Sequence, residues 1–117
     1  CDVTNPLGGF QCATYIYGPQ KGVTSEMLPG LDAGMENYAK VTSQTIGKDN
    51  MNASGAGAAG GLGFAFLSYL NGELTPGIQL ILNAVHLEDE MKNADAVVTG
   101  EGRPARQTAM GEAPVGV

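Results

Sequence analysis

Apolar residues along this chain fall into short blocks set between glycine and proline turns, and the spacing inside each block predicts its element. Ala13-Thr14-Tyr15-Ile16-Tyr17 is rich in aromatic and β-branched residues. Turn signals flank it, Asn5-Pro6 and Gly8-Gly9 before and Gly18-Pro19 after, so the pattern predicts a strand. Leu28, Leu31, Met35 and Tyr38 recur at helical spacing. Thr24 or Ser25 could cap that helix, but Pro29-Gly30 conflicts with so early a start. The alternative is a helix that begins nearer Pro29, where the first turn tolerates proline. Either version runs to about Thr45 and stops at Gly47.

The second half alternates helix signals with glycine. After the polar stretch Lys48–Ser54 come five glycines in the nine residues Gly55–Gly63. Phe64–Leu70 is apolar nearly all round, which predicts a buried helix. Asn71-Gly72 ends it, and Thr75-Pro76-Gly77 opens a short helix over Ile78–Val85, with a strand as the alternative. Leu87–Asn93 forms a second helical piece carrying a Glu88/Lys92 pair at i,i+4. The apolar run Ala96-Val97-Val98 then predicts a strand over Asp95–Thr99. Helices leading into a buried strand point to an α/β architecture.

Composition narrows the classes. The 117 residues suffice for one small domain with a modest core. A net charge of −6 argues against a nucleic-acid surface. No apolar run approaches the roughly 20 residues that span a bilayer. No signal-peptide pattern is visible, though a missing amino terminus would hide one. A cytoplasmic location without membrane or nucleic-acid partners is expected. Cys1 and Cys12 are too few for a disulfide framework or a zinc site, so reduced thiols are expected. The chain opens on Cys1 and closes on Pro114-Val115-Gly116-Val117, which reads as an internal piece of a longer protein.

Candidate chemistry sits in the turns. Thr99-Gly100-Glu101-Gly102-Arg103 follows the last strand signal, at the carboxyl end where open α/β sheets bind ligands. Its glycines permit close backbone approach, and Arg103 offers a planar fork for carboxylate or phosphate. Gly18-Pro19-Gln20-Lys21-Gly22 places a lysine in a tight turn, where it either meets a phosphate as a point charge or is simply solvated. Gly55, Gly57 and Gly60 satisfy G-x-G-x-x-G, yet no strand precedes them, which argues against a dinucleotide fold. Two readings of this segment stay open: a helix entry that holds phosphate, and close packing of backbone. Asp2, Thr4 and Asn5 could bind a hydroxyl-rich ligand or a magnesium-bound water, or could form an Asx-turn into Pro6. Glu88, Asp89 and Glu90 suit a solvated helix start, and His86 has no second histidine to ligate with. These residues by themselves assign no metal ligand.

As an ordered set, these segments resemble the glycerate kinase family of the bacterial glyoxylate- and glucarate-pathway type. The matching pieces are Cys1-Asp2-Val3-Thr4-Asn5-Pro6-Leu7, Gly18-Pro19-Gln20-Lys21-Gly22, Gly55-Ala56-Gly57-Ala58-Ala59-Gly60-Gly61 and Pro76-Gly77-Ile78. Further on come Ala94–Arg103, Gln107-Thr108, and Gly111 with Ala113–Val117. The resemblance implies a two-domain α/β protein several-fold longer than this chain. Residues 1–93 would be the later part of the inserted second domain, and residues 94–117 the return into the doubly wound first domain. It implies ATP-dependent, Mg²⁺-assisted phosphorylation of D-glycerate to 2-phosphoglycerate. Asp2, Glu101 and Arg103 are then the catalytic candidates, with Asp2 and Glu101 for metal or hydroxyl and Arg103 for an anion. Asn5, Lys21, Gly55, Gly57, Gly60, Gly61, Gly100, Gly102, Gln107 and Thr108 are the candidates for substrate and phosphate binding.

Three departures from the family pattern raise a second reading. Where the family has Ile-Asp and one more residue before Gln-Thr, this chain has Pro104-Ala105-Arg106; Ala105 can neither take a proton nor bind a metal. Where the family has Gly-Lys-Ala-Pro, this chain has Gly111-Glu112-Ala113-Pro114. Pro29-Gly30 falls inside a family helix. The alternative is therefore a diverged, non-catalytic α/β module that binds a small anion or nucleotide. On either reading, the 117 residues alone are expected to be inactive, because a site between domains needs both walls.

Overall fold

The structure is a computed structural model that describes residues 1–100. The chain divides into two compact units, one comprising Cys1 and Val3–Leu74, the other Asp2 and the residues from Thr75 onward. Among the described residues every regular element is helical.

The first unit is built on three helices. The first, α1 (Ala13–Tyr17), occupies the segment for which the pattern predicts a strand. The correction has a local cause. The Gly8-Gly9 turn lets the Cys12 N–H reach Gly9 O at 2.9 Å, and the Ile16 N–H then bonds Cys12 O at 3.1 Å. Cys12 and Ala13 become buried neighbours while Ile16 turns outward, an arrangement that period-2 alternation cannot give. Strand preference is weak without a partner strand to pair with, and tertiary context overrides it. A short 3₁₀ turn, Pro19–Lys21, follows, and Gly22 closes it in the left-handed region at φ 91°.

Helix α2 (Leu28–Ile46) begins at the later of the two expected starts. Pro29 stands in its first turn, where no N–H is required, so Pro29-Gly30 breaks nothing. Neither Thr24 nor Ser25 caps it; the Met27 and Leu28 N–H groups both bond Thr24 O through a preceding turn. Gly47 ends the helix at φ 72°, as its sequence position predicts. The buried stripe is rotated from the apolar one. Asp32, Ala39 and Thr42 are buried, with Met35 packed against the core, while Leu31 and Tyr38 stand at the edge of the stripe.

Helix α3 (Ala58–Tyr69) is entered through three successive left-handed residues: Ala59 (φ 50°), Gly60 (φ 71°) and Gly61 (φ 103°). Regular helix starts only beyond them. Its inner face is made of Gly61, Gly63 and Phe64. The expectation of a helix buried all round fails: Phe64 is fully buried, but Leu62, Phe66, Tyr69 and Leu70 are exposed. Small residues on the inner side bring the backbone close and leave the large side chains facing outward.

The core joins Leu7, Ala39, Ala56 and Phe64, with Met35, Met51, Ala53 and Leu67 packed around them. Tyr38 meets Phe64 edge-on, ring centroids 5.2 Å apart. The amino-terminal loop is stitched to the loop before α3 by Leu7 N–H to Met51 O (3.0 Å) and Gly57 N–H to Asn5 O (2.9 Å). Phe64 N–H bonds Ala56 O at 2.8 Å. Packing is therefore the use that the structure shows for this glycine cluster. A Cβ on Gly57 would collide with the Pro6 carbonyl, and one on Gly63 with the Gly55 carbonyl. As expected, no strand precedes the G-x-G-x-x-G pattern.

In the second unit, α4 (Gly77–Ala84) and α5 (Leu87–Met91) are separated by His86 in the left-handed conformation at φ 52°. The acids Glu88, Asp89 and Glu90 lie in the first turn of α5, where the helix dipole favours them. Lys92 sits 4.0 Å from Glu88 and closer, at 2.7 Å, to Asp89; both pairs are exposed and worth only tenths of a kcal/mol. Residues 95–100 form no strand and are exposed, Val98 at 96%. The strand expected over Asp95–Thr99 is thus not formed here; a strand needs a neighbour to complete its ladder.

Two substitutions test this account by denaturant unfolding of the 117-residue chain. Gly57→Ala should cost more than about 2 kcal/mol, because backbone on both sides must shift. Ala59→Gly should stabilise by roughly 0.5–1 kcal/mol, since it relieves a left-handed residue bearing a Cβ. An unchanged midpoint for Gly57→Ala would contradict the close approach.

Candidate functional site

The first unit contains a cavity of about 370 Å³. Helix α1, the 3₁₀ turn, the start of α2 and the entry to α3 all contribute to its walls. Val3, Ala13, Val23, Leu31 and Met35 supply most of the apolar wall, and Thr14, Tyr17, Gln20 and Lys21 the polar groups. Ala59 and Gly60, from the left-handed entry of α3, complete it. The side chains of Thr14, Gln20 and Lys21 make no hydrogen bond or ion pair among the described residues. They present two neutral polar groups and one cation to a mainly apolar space.

Asn5 holds one wall in place. Its amide nitrogen donates to Gln11 O at 2.7 Å, and its Oδ1 accepts from the Tyr17 hydroxyl at 2.7 Å. Both ends of the amide are engaged inside the protein, an arrangement distinct from an Asx-turn into Pro6. Tyr17 lines the cavity, so Asn5 acts on it by orienting that ring. Asp32 fixes the other end of the same loop. Its buried carboxylate accepts the Gly9 N–H (3.1 and 3.3 Å to its two oxygens) and the Cys12 thiol (3.2 Å). Sequence pattern overlooks Asp32, an acid inside an apolar helical stripe; its place at i+4 from Leu28 and i−3 from Met35 is the signal that could have found it.

The sequence candidates separate into groups. Lys21 and Gly60 are brought to one cavity. Gly55, Gly57 and Gly61 are buried packing positions: Cβ atoms there would press on Cys1 and Leu74, on Pro6, and on Met35 and Leu7 respectively. Asp2 is absent from the cavity wall; its Oδ1 accepts the Gly77 N–H at 3.0 Å, at the start of α4. Gly100 is exposed with open space about it. Glu101, Gly102, Arg103, Gln107 and Thr108 lie outside the described residues, as do Ala105 and Glu112. Among the described residues no three His, Cys, Asp or Glu side chains gather as a metal site, and no helix is long and apolar enough to cross a membrane. Cys12 is a buried thiol, and the Cys1 thiol donates to Val3 O at 3.2 Å.

One further polar cluster lies off the cavity wall. Thr42 Oγ1 and the Tyr69 hydroxyl are 2.6 Å apart. Hydrogen bonding to Thr42, then to Tyr38, lowers the Tyr69 pKa. The bond with Tyr69 raises that of Tyr38, with burial adding to it. These groups tie α2 to α3.

The first unit thus carries an open, mainly apolar cavity with one lysine among its described lining residues. Comparison with known proteins gives its family. The glycerate kinase family model matches residues 1–117. Glycerate kinases from Haemophilus influenzae and Bacillus subtilis are 47% and 46% identical over the whole chain, and the glycerate 2-kinase of Escherichia coli is 43% identical. The chain spans 31% of the length of each. A crystal structure described as glycerate kinase 2 from Salmonella typhimurium LT2 superposes with a TM-score of 0.80 at 41% identity, covering 99% of this chain and 30% of that one. The chain belongs to the glycerate kinase family.

The Asn5 brace is open to direct test. Asn5→Ala should cost about 1–3 kcal/mol, because it removes two hydrogen bonds, whereas Tyr17→Phe, which removes one, should cost about 0.5–1.5 kcal/mol. Equal, negligible shifts of the unfolding midpoint for both variants would show that the brace does not hold.

Proposed function

We propose that this chain is part of an ATP-dependent kinase that phosphorylates D-glycerate to 2-phosphoglycerate, working in the cytoplasm. The carrying observation is the family match over all 117 residues, joined to the meeting of Lys21 and Gly60 at one cavity. Residues 1–93 would belong to an inserted second domain, and 94–117 would return to a doubly wound first domain. A neighbouring strand in that domain would complete the ladder for residues 95–99.

Phosphoryl transfer asks the protein mainly for position and charge. A glycerate hydroxyl oxygen attacks the γ-phosphorus, the bond from that phosphorus to the β–γ bridging oxygen breaks, and ADP leaves with the electron pair. The hydroxyl proton passes to a carboxylate, for which Glu101 is the candidate. Asp2 is the weaker candidate, since one of its oxygens is committed to Gly77. Lys21 would neutralise charge on the transferring phosphates, and Arg103 would anchor the glycerate carboxylate. Mg²⁺ would offset phosphate charge, with Asp2 and Glu101 the candidates to hold it.

Ala105 and Glu112 are the observations that favour the non-catalytic reading. ADP release with Mg-ATP and D-glycerate, measured on the complete open reading frame that encodes this chain, separates the two. Turnover is expected, with Lys21→Ala lowering kcat/KM by about tenfold to a thousandfold. The 117 residues alone should show none. If the complete protein is silent, yet Ala105→Asp with Glu112→Lys restores turnover, the chain is a decayed kinase. Silence in both would sink the kinase proposal.

A further inference from the structure

We infer that the cavity formed by α1, the Pro19–Lys21 turn, α2 and the entry to α3 is the seat of the adenine end of a nucleotide, and that Gln20 reads its base. The inference deepens the proposed kinase function by assigning one site to one of its two substrates. It rests on that reading only for the presence of a nucleotide among the ligands.

Size and polarity select the occupant. About 370 Å³ falls within the range of small-ligand pockets. Glycerate carries a carboxylate and two hydroxyls on three carbons. Against walls of Val3, Ala13, Leu31 and Met35, most of those groups would lose water without gaining a partner. A purine has the opposite character: two broad apolar faces and a polar edge. Gln20 offers an amide donor and acceptor side by side, with no partner among the described residues, and glutamine pairs with the donor–acceptor edge of adenine through two hydrogen bonds. Lys21, the next residue in the turn, is the one cation among the described lining residues and would meet phosphate charge. Ala59 adds an independent sign. It is a residue with a Cβ held left-handed on the cavity wall, and such strain gathers at ligand sites.

Binding separates this inference from the kinase reading. Calorimetry with a non-hydrolysable ATP analogue, on the complete reading frame, would compare the native protein with Leu31→Trp and Gln20→Ala. Leu31 is 44% exposed, so a larger ring there fills the cavity mouth without entering the core. Gln20 is exposed and bears no packing load. Leu31→Trp should weaken analogue binding at least tenfold. Gln20→Ala should reduce the preference for the adenine over the guanine analogue by about tenfold. The KM for glycerate should stay within twofold wherever turnover is measurable. The inference is overturned if the native protein does not bind the analogue, if both variants bind it as the native protein does, or if the glycerate KM rises in place of analogue affinity. Tight, cavity-dependent analogue binding without turnover would support the site while removing the kinase reaction.

Discussion

The approach of Gly57 to the Asn5–Pro6 backbone is the constraint on which the first unit rests. No Cβ fits there, and the Gly57 N–H reaches Asn5 O at 2.9 Å. That bond fixes the backbone of Asn5, whose side chain then holds Gln11 O and the Tyr17 hydroxyl. Helix α1 is thereby set in place, and with it one wall of the cavity. Gly63 repeats the device beyond the left-handed entry, since its backbone lies against Gly55. Together the two glycines draw α3 inward until Phe64 meets Leu7, Ala39 and Ala56.

A core this small leaves little stability in reserve. Among the described residues Phe64 and Leu7 are the largest fully buried hydrophobic side chains, each worth roughly 1.5–3 kcal/mol on burial. Polar fixings therefore matter. Asp32 binds the Gly9 N–H and the Cys12 thiol from inside the apolar stripe of α2 and orders the loop that leads into α1. Lost from that position, the carboxylate would leave the part-buried Gly9 N–H and the buried Cys12 thiol without this partner. The cavity is a product of the same geometry: glycine and alanine at the entry to α3 hold backbone, not bulk, beside the Lys21 turn.

How much of this is legible in the sequence differs element by element. The span of α2 is, because Pro29 and Gly47 punctuate it and proline and glycine act through local sterics. The packing role of the glycine cluster is partly legible, since the missing strand before Gly55 removes the dinucleotide reading. The conformation of α1 is not: its β-branched and aromatic residues favour a strand, and only the Gly8-Gly9 turn and the burial of Cys12 decide otherwise. Neither is the cavity, which joins residues from Val3 to Gly60 through contacts that no periodicity encodes. Asn5 is legible as a candidate for ligand binding or an Asx-turn, but not as a brace, because its partner Tyr17 is set by the helix that the sequence pattern misses. The family motifs carry the rest, since their order along the chain identifies the family that the whole-chain matches show.

Native-state hydrogen exchange at the Gly57 amide tests the central claim most directly. If the Gly57–Asn5 bond anchors the unit, this amide exchanges only through global unfolding, with the same free energy as the core amides of Leu7 and Phe64. Exchange of Gly57 by local opening, well below that free energy while Leu7 and Phe64 stay protected, would contradict the account.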